Sequence, residues 1–189
     1  MEQHPNPFLI LLRHSLIRYL LGGLSTGQVE VGPRALISNT KSCVLDIYTG
    51  YSSDLDMAFK EIGAASWERR RLEAEEDRWS PITEDDLTSE ADWLEQSVQT
   101  MISRDLQSGL TLPAHIELSD REIKQFEACN EAYQYVALIH IYRRVRRLPS
   151  ASAEVQQCVK AIVRAISRIL PVEKLSPWVL LTTPLFTAG

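Results

Sequence analysis

Pro149 divides the most strongly patterned part of the sequence into two helical segments, and that division constrains the fold more than any other feature. From Ser119 to Leu148, Ile123, Phe126, Tyr133, Val136, Ala137, Ile141 and Leu148 recur at helical spacing, with His140 and Arg144 on or near the same broad face. From 153 to 170, Val155, Val159, Ile162, Val163, Ile166, Ile169 and Leu170 give a second apolar face, and Lys160, Arg164 and Arg168 mark its wet side. Proline disfavours helix in the residue before it, so the first helix is predicted to stop at Leu148. Ser152 is placed to cap the second. Two helices with broad apolar faces and only a Leu148-Pro149-Ser150 turn between them must bury those faces against each other or against further helices.

The same patterning continues upstream. Helices are predicted over 7–21, over 34–48, from Ser53 to Arg78 and from Thr83 to about Gln107. Capping boxes are read at Ser53 with Asp56, Thr83 with Asp86 and Ser119 with Glu122. The expected buried sets are Leu36, Ile37, Val44, Leu45 and Tyr48; then Leu55, Phe59, Ile62 and Trp67; then Leu87, Ala91, Leu94, Val98, Met101, Ile102 and Leu106. The charged run from Glu68 to Arg78 reads as a solvated helix end. A last apolar segment opens at Ser176-Pro177. The predicted fold is all-α, an irregular domain of about six to seven helices packed as antiparallel helical hairpins. With 189 residues, one domain spanning 1–189 can bury a sizeable core.

Net charge of -5 gives no global positive field to attract nucleic acid. The apolar run Phe8 to Leu12 is too short to span a membrane, and its basic residues follow it, the reverse of a signal peptide. No membrane partner is expected, and the chain reads as cytoplasmic or nuclear. Cys43, Cys129 and Cys158 lie far apart and read as free thiols, those at 129 and 158 buried on helix faces.

Searches for chemistry return little. His115-Ile116-Glu117 matches half of a zinc deaminase site, but the required pair of downstream cysteines is absent. Asp85-Asp86 with Glu90 resembles a magnesium–diphosphate carboxylate motif, yet acids in a first helical turn are ordinary capping residues. His14, His115 and His140 have no partner at metal-ligand spacing. No catalytic, cofactor-binding or metal residue is assigned, and no enzymatic activity is expected. The most basic spot is Arg143, Arg144, Arg146 and Arg147, a candidate patch for partner binding or nuclear import. The competing reading is structural: cations near a helix C-terminus offset its dipole, and arginine stems cover apolar surface. Under either reading Arg146 is expected to lie towards solvent, so Arg146→Ala should leave stability nearly unchanged.

The stretch Ala137-Leu138-Ile139-His140-Ile141-Tyr142-Arg143-Arg144, the Leu148-Pro149-Ser150 turn and the ending Pro184-Leu185-Phe186-Thr187-Ala188-Gly189 resemble the fungal-specific transcription factor domain. This is the regulatory region C-terminal to binuclear zinc-cluster motifs in fungal regulators. Upstream, Leu45 to Ser52 followed by Ile62-Gly63 resembles the family's short helix, glycine, helix opening, and the acidic 84–106 helix its next element, so the likeness runs from about 36 to 189. It implies an all-helical domain that works in the nucleus. Such a domain modulates transcription through coregulators, self-association or a small-molecule effector, and meets DNA only indirectly, through a zinc cluster. That cluster needs six cysteines in close pairs and is missing here, so zinc is expected only in a motif outside this sequence. The family usually continues past Ala188-Gly189 into a further helical region, and without it the Trp178–Phe186 segment is expected to be left uncovered. The alternatives are a helical protein–protein interaction module without a transcriptional role and a helical isoprenoid-type enzyme.

Overall fold

The computed structural model describes residues 43–74, 82–170 and 176–189. The described residues open with a small hairpin, β1 (Leu45–Asp46) and β2 (Tyr51–Ser52), antiparallel with Leu45 opposite Ser52. Five α-helices follow among the described residues: α1 (Ser53–Glu73), α2 (Glu84–Ser108), α3 (Asp120–His140), α4 (Ala153–Ile166) and α5 (Thr182–Ala188). A π-helical turn, Ile141–Val145, extends α3, and a 3-10 turn, Pro177–Leu181, leads into α5.

The all-α class holds broadly, but count and packing differ from expectation. The helices gather around one central helix rather than forming a series of hairpins. Helix α3 contacts α1, α2, α4, α5 and the β hairpin, and its contact with α4 is the largest. Its burial explains this: Phe126, Cys129, Ala132, Val136, Ala137 and Leu138 are within 1% of full burial and point in different directions round the helix. A helix apolar on most sides needs neighbours on most sides.

The local signals succeed where a side chain bonds the backbone. Thr83 Oγ1 accepts from the Asp86 amide, and Asp86 returns a carboxylate to the Thr83 amide at 2.9 Å. Ser119 and Glu122 do the same at the start of α3. The box at Ser53 does not form. Ser52 is the N-cap and has no side-chain cap bond; Ser53 lies inside the helix and accepts from the Val44 amide, and Asp56 pairs with Lys60. Ser152 occupies the N-cap of α4 but bonds through its carbonyl, to Gln156.

Three boundaries shift. The predicted 34–48 helix is a hairpin from residue 44 onward, because Asp46 turns the chain: its Oδ1 accepts from the Tyr48 amide and its carbonyl from the Gly50 amide. Residues 34–42 of that prediction, and the 7–21 helix, lie outside the described residues. Helix α3 gives way to the π turn well before Leu148, and Arg147, at φ 58°, ends it in the left-handed region. Helix α4 stops at Ile166, so Leu170 falls beyond it and is 52% exposed.

Two faces also shift. On α2 the buried stripe is Leu87, Ala91, Leu94, Val98, Met101 and Ile102, as expected, but Leu106 is 77% exposed. Spacing carries the stripe from Ala91 through Val98 to Asp105, so an acid takes the inward place in the last turn. On α4, Val163 faces solvent, while Val155, Cys158, Ile162 and Ala165 are buried.

Candidate functional site

The arginine cluster sits where α3 ends. The π turn widens the backbone, and the Arg146 amide bonds back to the Ile141 carbonyl, five residues earlier, at 3.0 Å. That geometry fans the four guanidinium groups in different directions. Arg143 is exposed and donates to the Leu148 carbonyl at 2.6 Å, closing its own loop. Arg144 is exposed and makes no hydrogen bond or ion pair with the described residues. Arg146 turns inward to α2, with Nη2 2.6 Å from both Asp92 and Glu95, and lies over the Tyr142 ring at 5.8 Å. Arg147 forks onto Glu73 at the end of α1, and this hydrogen-bonded pair holds the Glu73 carboxyl below its usual range.

The cluster therefore joins three helices, and only Arg143 and Arg144 lie open to a partner. Sequence patterning does not reveal this, because the acids that engage Arg146 and Arg147 are distant in sequence: Asp92 lies 54 residues from Arg146, and Glu73 lies 74 from Arg147. Nor does it reveal Arg69, which belongs to the run expected to be solvated. Arg69 is 8% exposed, donates Nε to the Val145 carbonyl at 2.7 Å and pairs with Glu84. It satisfies a carbonyl that the π turn leaves without a helical partner. Its neighbour Glu68, 5% exposed, pairs with Arg71.

Arg146 carries the clearest stability consequence. Its side chain is 29% exposed and holds two acids and a ring together. Contrary to the expectation from sequence, Arg146→Ala is expected to cost about 1–2 kcal/mol, read as a lower urea midpoint with unchanged slope. Arg146→Lys, which keeps the charge and loses the planar stacking, should recover part of it.

His140 lies one turn before the cluster, against the Phe59 ring at 6.4 Å. Burial, reinforced by the nearby positive charge of Arg144, brings its pKa down from 6.5 to about 4. The unfolded chain therefore binds the proton more readily than the folded one. Stability from this group is present above about pH 6.5 and is lost as pH falls towards 4. The shift corresponds to about 3 kcal/mol before solvent screening, and nearer 2 kcal/mol after it. Urea titrations between those limits should show the loss in the native chain and a flatter profile in His140→Gln.

The remaining sequence candidates have structural positions. Asp86 is engaged by the Thr83 amide and hydroxyl, which hold its carboxyl below the usual range. His115 is exposed in the loop before α3. Cys129 and Cys158 are buried, and burial pushes both thiols up to about 12. Among the described residues no three His, Cys, Asp or Glu side chains converge as a metal site. The three cysteines of the sequence do not fit a binuclear zinc cluster. No described helix is long and apolar enough to cross a membrane.

The profile of the fungal specific transcription factor domain matches residues 15–189. The chain belongs to that family. The match takes in the hairpin, all five helices and the arginine cluster, and begins upstream of the 36–189 likeness visible in the motifs. Comparisons with curated proteins and with solved structures gave no match. Membership of a fungal transcription factor domain family gives the chain a role in transcription regulation in general, through regulatory interactions and with the nucleus as the general place of action.

Proposed function

We propose that this chain is the regulatory domain of a zinc-cluster-type fungal transcription factor. It is a single unit over 1–189 that changes the output of an attached or partner DNA-binding module through protein contacts or a small effector. The observation that carries this reading is the family match over 15–189. Surface chemistry supports the contact role. Trp178, Val179, Leu185 and Phe186 are 45%, 77%, 53% and 89% exposed, a concentration in sequence of large apolar side chains left open to solvent. It suits self-association or a coregulator. Arg143 and Arg144 supply an open basic pair for a partner or an import receptor, whereas Arg146 and Arg147 are engaged within the fold.

The test is to fuse the chain to an unrelated DNA-binding domain and measure a reporter in a fungal host. A change in output, reduced by replacing Trp178 and Phe186 with Ser, is the expected result. Unchanged output from a fusion shown to be folded and nuclear would leave an interaction module without a transcriptional role. An Arg143→Gln/Arg144→Gln fusion that fails to accumulate in the nucleus would assign import to that pair; normal accumulation would remove import from it.

A further inference from the structure

We infer that the outer face of α4 docks an acidic amphipathic helix of a partner protein. Val159, Val163 and Ile166 follow one another at alternate helical spacings, so they stand in one row along α4. Val159 and Ile166 are half-buried with one edge against the core, and Val163 between them is 58% exposed. The row borders the buried face of Val155, Cys158, Ile162 and Ala165, so the apolar arc of α4 is wider than its neighbours cover. That spacing, i, i+4 and i+7, is the one by which amphipathic helices meet a partner helix. Helix α5 packs on α4 and leaves Leu185 and Phe186 open, which adds apolar surface on an adjoining element.

Charge selects the occupant. Lys160 and Arg164 directly follow Val159 and Val163, one helical turn apart, and so flank the row on its solvent side. Both are exposed, and neither forms an ion pair with a described residue. Arg168, the next cation along, is held by Glu131 of α3. From Val155 to Leu170 the sequence contains no Asp or Glu, on a chain whose overall charge is -5. Two copies of α4 laid row to row would therefore bring cations together over this stretch with no acid to pair them. A helix with leucine-type side chains at the same spacing and carboxylates beside them meets the apolar row and two free cations at once.

This rests on the contact half of the proposed function and gives the partner a chemical class. Because binding is read on the isolated chain, its failure is distinct from failure of the reporter test. The experiment is fluorescence anisotropy of a labelled synthetic helix of about 18 residues, with Leu at the spacing of the row and Glu beside it, titrated with the full chain. Two control peptides carry Lys in place of Glu, or the same residues in scrambled order. Saturable binding of the Glu probe below about 100 µM is expected, with each control at least about tenfold weaker. Val163→Ser should weaken the Glu probe several-fold. Lys160→Gln/Arg164→Gln should weaken it about tenfold and flatten its dependence on salt. Both variants change exposed side chains and should keep native helicity. Binding no tighter than that of either control, or unchanged in both variants, overturns the assignment. A chain that ignores the probe but sediments as a dimer lost in Val163→Ser overturns it in favour of a second copy. One that ignores the probe but floats with phosphatidylserine vesicles overturns it in favour of a lipid surface.

Discussion

Gly50→Ala is expected to lower the melting temperature by about 10 °C, a loss of about 3 kcal/mol for a chain of this length. Two independent costs add. Gly50 has φ 82°, a conformation that L side chains adopt at a cost of about 1–2 kcal/mol. A Cβ there would also lie 2.8 Å from Cys129 Sγ and 2.8 Å from Leu180 Cδ1. Leu180 can swing its methyl aside. Cys129 is fully buried on α3 and cannot, so the hairpin would have to lift from the central helix. Gly63 supplies the opposite sign within the same protein. It lies exposed in α1 with nothing within 4 Å of an added Cβ, so Gly63→Ala should stabilise by about 0.5–1 kcal/mol. Melting curves of the two variants should move in opposite directions. A Gly50→Ala curve that overlays the native one would mean that the hairpin does not seat on α3 as described.

What was legible in the sequence was local. The boxes at Thr83 and Ser119 involve partners three residues apart, and the α2 stripe repeats through about four turns, so short-range pattern is enough. The hairpin was not legible because its strands are two residues each, too short for alternation to register. Leu45 is nevertheless 1% exposed, buried by a strand where a helix was expected. Glu68 and Arg69 were misplaced for another reason. A charged run normally signals solvent, but Arg69 is drawn inward by the Val145 carbonyl 76 residues away, on a π turn that no spacing rule anticipates. Of the arginine cluster, composition located the residues and the structure divided their work: Arg146 and Arg147 fasten α3 to α2 and α1, and Arg143 and Arg144 remain outward.

The least legible feature is also the one whose disruption should cost most. Arg104, near the end of α2, pairs with Asp54 at the start of α1 and with its neighbour Asp105. Asp105 also accepts from Asn130 Nδ2 at 2.9 Å and Gln134 Nε2 at 2.7 Å, both on α3, and Asn130 Oδ1 accepts from the Ser52 amide at 2.9 Å. One polar chain thus ties β2, α1, α2 and α3 together beneath the surface, with the Asp54 side chain 5% and the Arg104 side chain 15% exposed. Burial alone would weaken the charge on Arg104, but its bonds to Asp54 and Asp105 outweigh burial and raise its pKa. Burial raises the pKa of Asp105 in spite of Arg104 and Gln134. Arg104→Met keeps the bulk and removes the cation, leaving two buried carboxylates facing each other. The expected loss is about 3–5 kcal/mol, because an uncompensated buried charge costs more than the intact pair contributes. The control is Arg104→Met combined with Asp54→Asn and Asp105→Asn, which removes both charges and should recover a substantial part of the loss. Acid gives a second check. Protonating Asp105 relieves the repulsion, so the gap between Arg104→Met and the native chain should narrow as pH falls from neutral into the carboxylate range. A gap that stays constant with pH would mean that the loss arises from packing of the arginine stem, and that the polar chain is not what clamps the hairpin and α1 to α3.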